Sequence, residues 1–355
     1  MSVMNRFKPV EDYVLKSIDD KVFASASVLV SCSGEIVFHE NFGQSEVIGE
    51  KKFESGLFDL ASLTKPLATV LFFQILWQKN LLFPGDYVSD YIKEFQTKDK
   101  KDIKIENLLL HNSGLPAHRN YYRFLAGLPF NERESARILM IAEESLVYKP
   151  EESTLYSDLG FMILKYICEK VSKDKIGSFM TKEVYGKINS ELFFSSGVKM
   201  PLDLFVPTSF SFFRNKILQG EVNDENAFII GGEDGHAGLF GKCLDIHLVL
   251  KEIFDSFTGK KNNLLESDYT KEILKIRKNK RSYGFDTPSE KNSSSGDFFS
   301  LNSVGHLGFT GTSFWMDTSK KIWIILLTNR VCYGINNFKI KDFRPELHNK
   351  IIKAV

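Results

Sequence analysis

Apolar residues recur along this chain at several spacings, and each spacing predicts a different element. After Pro9, Val10, Tyr13, Val14 and Ile18 fall three and four positions apart, which predicts a helix over 9–22 with one buried face. The β-rich runs 24–32 and 35–42 meet at Ser33-Gly34, a hairpin signal. Residues 62–77 are apolar nearly all round, which predicts a buried helix, and Pro66 falls in its first turn, where proline is tolerated. Helical patterns follow near 86–94, 105–110, 132–145, 158–172 and 174–187. The stretch 188–235 is irregular and rich in Gly, Ser, Pro and Phe. Two more helices are predicted at 243–257 and 266–276, then a polar surface loop or mobile insertion at 287–297. Strand-like runs at 301–309, 312–316 and 322–328 precede a last helix at 343–354.

That order predicts an α/β chain of the α+β type. A central antiparallel sheet is completed by both ends of the chain and flanked by terminal helices, with an all-helical region between. Alternating βα units are lacking, which argues against a doubly wound parallel sheet. The expected organisation is one catalytic domain over 1–355, with a sheet part from about 1–60 and 236–355 and a helical part from about 61–235.

Composition narrows the partners. A formal charge of +1 gives no electrostatic footprint for nucleic acid or an anionic membrane. The basic stretch 271–281 reads as the solvated face and end of a helix. No run approaches 18 apolar residues, so no membrane span is expected. The first twenty residues lack an apolar core and already carry Glu11 and Asp12, so they do not read as a signal peptide, and a cytoplasmic location is expected. Cys32, Cys168, Cys243 and Cys332 form no CxxC pair, which predicts reduced thiols.

The candidate chemistry starts at Ser62-Leu63-Thr64-Lys65. Positions i and i+3 share a helix face, so the lysine amine reaches the serine hydroxyl, and the helix N-terminus favours negative charge there. A serine is a weak nucleophile until a neighbouring base takes its proton, and a desolvated lysine can do so. The spacing alone is weak evidence, because Ser172-x-x-Lys175 and Ser196-x-x-Lys199 repeat it in contexts that read as chance. Ser62 differs in heading an otherwise apolar helix, where polar residues are costly unless used. Downstream, Tyr156-Ser157-Asp158 precedes a second apolar helix, and Gly305 to Thr312 lies between two strand-like runs. Gly308 and Gly311 there let a strand backbone approach another group closely.

In this order the segments resemble the serine β-lactamase and penicillin-binding-protein family, closest to its class C-like and esterase-like branch. LFDLASLTKPLATV at 57–70 is similar to its nucleophile helix, and LLLHNSGLP at 108–116 to its L-L-x-H-x-S-G-L-P segment. YSDLGFMILKYICEKVS at 156–172 and GHLGFTGTSFWMD at 305–317 resemble the second and third motifs, and LLTNR at 326–330 the strand that follows. GEVNDENAFIIGGEDGHAGLFG at 220–241 is similar to a long signature of one subgroup. The resemblance implies a β-lactamase/DD-peptidase-like fold with no cofactor and no metal, acting on a small-molecule or peptide substrate. It implies Ser62 as nucleophile, Lys65 as base or proton relay and Tyr156 as proton shuttle to the leaving group. It also implies an oxyanion hole from the Ser62 and Phe309 amides, with Asp158, His306 and Gly308 binding substrate.

Two positions depart from the family pattern. His306 stands where lysine is usual and Asp158 where asparagine is usual, so the pocket is less cationic by up to two charges. Recognition of carboxylate-bearing β-lactams or D-alanyl peptides should weaken, unless Arg330, Arg119 or His236 compensates. A hydrolase of β-lactam, peptide or ester bonds is the first expectation. A carboxylesterase with little β-lactamase activity is the second, and a catalytically silent binding protein the third. His111 reads as a turn-stabilising hydrogen bonder and His236 as a structural residue with pocket contact as the alternative. Asp224, Glu225, Glu233 and Asp234 read as a loop bordering the site, with no partnering histidine pattern.

Overall fold

The structure, a computed structural model, describes residues 6–43, 56–196, 200–260 and 264–355. Helix Lys8–Asp19 starts with proline in its first turn and buries Val10, Val14 and Ile18. Strands β1 (Ser25–Cys32) and β2 (Glu35–Gly43) follow, joined where Ser33 and Gly34 take positive φ of 53° and 96°. Two such residues in succession match the right-handed twist of the flanking strands. β3 (Val304–Leu307), β4 (Ser313–Asp317) and β5 (Ile322–Thr328) complete an antiparallel sheet in the order β2-β1-β5-β4-β3. β1 pairs with β5 from Ala26↔Thr328 to Cys32↔Ile322, so the sheet closes between distant parts of the chain.

β1 and β5 are buried on both faces, and alternation decides the layer each side chain joins. Val28, Val30, Ile324 and Leu326 pack with Lys8–Asp19 and the terminal helix Ile340–Ala354. Leu29, Trp323, Ile325 and Leu327 face the larger core, which includes Ile246, Val249 and Leu250 of helix Cys243–Phe257 and most of Val70–Gln78. The fold is thus an antiparallel sheet between terminal helices and a helical region, as the patterning predicts.

The structure corrects some details. Residues 62–77 are not one α-helix: Ala61–Leu63 is a 3-10 turn, Lys65–Thr69 a π turn, and only Val70–Gln78 is α-helical. Pro66, which has no N–H to give, lies inside the π turn. The basic stretch 271–281 is helical only to Leu274, where Ser267–Leu274 ends. Residues 287–297 form no helix or strand, but they are not an outlying insertion either. Ser293 and Ser295 are buried, the Asp297 amide donates to Asn349 Oδ1 at 2.8 Å, and a side chain on Gly296 would run into Asn349 and the Pro345 carbonyl. Small polar side chains suit solvent and close packing against a helix equally, so composition does not separate the two. Ser172-x-x-Lys175 is structural, with Lys175 bound to Glu134 and Glu169, and Lys199 lies outside the described residues. All four cysteines are free. Among the described residues, no helix is long and apolar enough to cross a membrane.

Candidate active site

Ser62 is set in a tightly bonded elbow. Ala61, just before it, has φ of 49°, a left-handed conformation that costs a residue bearing a Cβ roughly 1–2 kcal/mol. Surrounding bonds hold it there. The Ala61 amide donates to Asp59 Oδ1 at 2.8 Å, Thr64 Oγ1 donates to the Ala61 carbonyl at 2.6 Å, and the Leu239 amide donates to Thr64 Oγ1 at 3.1 Å. Thr310 and Thr312 donate to the carbonyls of Asp59 and Leu60 at 2.8 and 3.0 Å, which ties the elbow to the β3–β4 turn. Burial lifts the Asp59 carboxyl to about 6 despite amide hydrogen bonds from Asn223 and Ala61.

Lys65 is fully buried, and its ammonium donates to Ser62 Oγ at 3.1 Å, to Asp158 Oδ1 at 2.7 Å and to the His236 carbonyl at 3.3 Å. Burial alone would lower its pKa, but the Asp158 carboxylate more than reverses this and keeps the lysine protonated. Burial likewise opposes the charge of Asp158, yet Lys65 and a contact from His118 Nδ1 at 3.3 Å hold it well below the usual carboxylate range. Hydrogen bonding to Asp158 in turn raises His118.

The second motif is held by the segment before it. The His111 ring accepts the Ser157 amide on Nδ1 at 3.0 Å, and its carbonyl accepts the Leu155 amide at 2.9 Å. Burial pushes His111 well below its usual pKa, so the ring is neutral and free to accept. Ser157 caps helix Asp158–Ser172 through the Gly160 amide at 3.3 Å and donates to the Pro116 carbonyl at 2.6 Å. The Asp158 amide donates to the Ala117 carbonyl at 2.9 Å, which sets His118 beside the carboxylate. Tyr156 lies under the Lys65 ammonium, 4.7 Å from its ring centre. Burial raises the Tyr156 hydroxyl to about 12 although Lys65 pulls it down. Lys65 and Ser62 lie close enough to that hydroxyl for both to pull its pKa down.

His306 on β3 is buried and neutral, lowered to about 4 by desolvation. Its Nδ1 sits 3.0 Å from the Leu307 carbonyl, so Nδ1 carries the proton and Nε2, which has no partner among the described residues, is an acceptor. At Gly308 a Cβ would collide with Thr312 Oγ1 and lie 2.8 Å from the Leu60 carbonyl, so only glycine fits. The Phe309 amide has no acceptor among the described residues. Behind this turn, Arg344 of the terminal helix is buried and donates to the carbonyls of Thr312 and Gly308 at 2.8 and 3.4 Å.

The segment 220–241 supplies part of the surrounding wall. His236 Nε2 is 3.0 Å from Asp224 and its Nδ1 is 3.1 Å from Asp234, which is itself paired with the buried Arg137. Burial opposes the charge on His236, but the two carboxylates win and raise it to about 10. Asp224 and Asp234 thus hold His236 between them as charge partners, and Asp224 and Glu225 line the cavity, as expected of a loop bordering the site. Glu225 pairs with Arg214 at 3.0 Å, and Glu233 accepts the Gly177 amide at 3.3 Å.

Ser62, Tyr156, Asp158, His306, Gly308 and Phe309 all line one cavity of about 920 Å³, and Lys65 lies just behind Ser62. Of the suggested compensating cations, only His236 reaches this cavity. Arg119 is paired with Glu144, and Arg330 donates to backbone carbonyls and stacks near Phe309. The cavity also contains His118, the Arg281–Asp286 pair and an aromatic stretch at 210–213, none of which the sequence singles out. His118 carries no local signal, because a backbone contact across forty residues brings it to Asp158.

The beta-lactamase family model matches residues 10–333. An Escherichia coli K12 protein named as a D-alanyl-D-alanine carboxypeptidase is 26% identical over 360 aligned residues, 92% of this chain and 83% of its own length. A Bacillus subtilis 168 protein named N-acetylmuramyl-L-alanine amidase is 28% identical over 348, which is 87% of this chain and 77% of that one. Among solved structures, EstCE1, a hydrolase with promiscuous acyltransferase activity, has a TM-score of 0.73 at 17% identity, covering 96% of this chain and 98% of its own.

Proposed function

This chain belongs to the beta-lactamase family and is a serine hydrolase, and on that premise we propose that it works through an acyl-enzyme on Ser62. The observation that carries the reading is the 3.1 Å contact between the buried Lys65 ammonium and Ser62 Oγ at the wall of the cavity. Ser62 attacks the scissile carbonyl, and the Ser62 and Phe309 amides take the charge that develops on its oxygen. Because Asp158 keeps Lys65 protonated at rest, the relay needs a prior step. Substrate seals the cleft, water is lost, and the Lys65 proton passes to Asp158, since desolvation favours the neutral pair. Lys65 then accepts the Ser62 proton and passes one to Tyr156 as Tyr156 hands its own to the leaving group. Water reverses the sequence to release the acid. The reading takes 1–355 as one catalytic unit with a sheet part and a helical part.

An active-site fluorophosphonate, read by intact-protein mass spectrometry, should add one label to the parent and none to Ser62→Ala. A fully labelled Ser62→Ala protein would sink the assignment.

A specific observation favours ester over β-lactam as substrate. His306 is neutral, and the Asp158 carboxylate already occupies Lys65, so neither residue offers a free cation to a substrate carboxylate. One missing charge-assisted hydrogen bond is worth roughly 1.5–3 kcal/mol, about ten- to a hundredfold in binding. Comparing kcat/KM for p-nitrophenyl butyrate and nitrocefin tests this, and a strong preference for nitrocefin would refute it.

A further inference from the structure

The hairpin that borders the cavity is built inside out. Strands Phe210–Ser211 and Lys216–Ile217 pair Phe210 with Ile217 and Ser211 with Lys216. A strand on a protein surface normally turns its apolar side chains inward. Here Ser209 and Ser211 are 6% and 5% exposed, while Phe210 and Phe212 are 46% and 91% exposed, and Phe213 is 41% exposed. All five residues line the Ser62 cavity.

The display is anchored. Arg214, at the turn, has its side chain buried, sits 3.0 Å from Glu225 and donates to the Val222 and Asn223 carbonyls at 2.9 and 3.1 Å. Its guanidinium lies 4.2 Å from the Phe228 ring centre. Ser211 Oγ donates to the same Glu225. Phe213 rests edge-on against Tyr122, with centroids 4.9 Å apart, and Phe210 against Phe212 at 5.3 Å. A hairpin fixed through its polar residues while Phe212 and large parts of Phe210 and Phe213 stay exposed has an apolar face open to a ligand. Phe309 and Ile335, which line the same cavity, are about half exposed.

We propose that these exposed apolar side chains form a subsite for the hydrocarbon chain of an ester substrate, so that the enzyme prefers esters carrying a medium-length apolar group. The proposal rests on the acyl-enzyme reading of Ser62. Phenylalanine offers no hydrogen bond to a sugar or peptide, and the subsite shares one cavity with Ser62. The chemistry stays balanced: ester and serine give acyl-serine and alcohol, then water gives the free acid and restores serine.

The test uses the full chain with two ester series. One lengthens the acyl group of p-nitrophenyl esters from acetate to octanoate; the other lengthens the alcohol of acetate esters. A fully buried methylene is worth about fourfold in affinity, so kcat/KM should rise about tenfold or more across at least one series. In the Phe210→Ser/Phe212→Ser double variant that long-to-short ratio should fall about tenfold. Phe124→Ser, exposed but outside the cavity, should keep the parent ratio. Flat profiles in both series, an unchanged ratio in the double variant, or an equal fall in Phe124→Ser would each overturn the subsite. Activity persisting in Ser62→Ala would instead overturn the acyl-enzyme reading, whatever the chain-length profile.

Discussion

At Lys65 the two largest influences oppose each other: burial favours the amine, and Asp158 favours the ammonium. Replacing Asp158 by asparagine keeps the shape and removes the charge, leaving burial to dominate. The Lys65 pKa should then fall, and because the relay also loses its proton acceptor, acylation should come to depend on Lys65 losing its proton to solvent. Stopped-flow acylation by p-nitrophenyl butyrate from pH 5 to 10 should show an alkaline-rising limb in Asp158→Asn that the parent, whose Lys65 is raised above the ordinary lysine range, lacks. Matching profiles in the two proteins would mean that Lys65 does not gate the step. His118, on the far side of the same carboxylate, is partly exposed and raised in pKa by it. Neither effect is legible in the sequence, where Asp158 is simply an acid in place of an amide and His118 one of several polar loop residues.

Among the elements, the terminal helix has an unexpected stake in the site. Arg344 reaches through it to the carbonyls that flank Phe309, and burial with Arg330 nearby lowers its pKa to about 9. Arg344→Met should fill the space but release the turn, so that kcat falls about tenfold while KM stays near the parent value, because the Phe309 amide is used in the transition state. Arg344→Lys should recover part of the loss. A rise in KM at constant kcat would place Arg344 in substrate binding instead. Periodicity predicts most elements well: 243–257 as a helix and 322–328 as a strand agree with Cys243–Phe257 and Ile322–Thr328. It fails where local rules are overridden. The left-handed Ala61 answers not only to Asp59 two residues back but to Thr310 and Thr312, which bond its preceding carbonyls from the far end of the chain. The His236 clasp is likewise hidden, because Asp224 caps a short helix twelve residues earlier and Arg137 comes from another helix altogether. The motif residues themselves are legible because each heads or interrupts an apolar run.

For the whole molecule, buried titratable groups set the pH range of stability. His111, His306 and His348 are all held neutral by burial, the last two with pKa values near 4. Between about pH 6.5 and 4 the unfolded chain takes up protons that the fold refuses, which costs about 1.4 kcal/mol per pH unit for each histidine. Asp59, raised to about 6, keeps its proton in the fold and cancels one of the three between about pH 6 and 4. His236 acts on the other side: its contribution is complete below about pH 6.5 and is lost as pH rises toward 10. Thermal melts from pH 4.5 to 9.5 should therefore peak near pH 6.5 and fall on both sides, with His348→Gln flattening the acid limb. Stability that climbs steadily to pH 9.5 would contradict a charged His236. The pairing of β1 with β5 has a further consequence, in time rather than space. On a ribosome adding about 5–20 residues per second, β1 waits roughly 15–60 s for its partner. Throughout that interval the β1–β2 hairpin carries an open edge and two apolar faces, a template for aggregation that a holding chaperone would cover. Gly308 and Phe309 emerge late as well, so the nascent protein stays inert until its last strands are made, and activity arrives all at once.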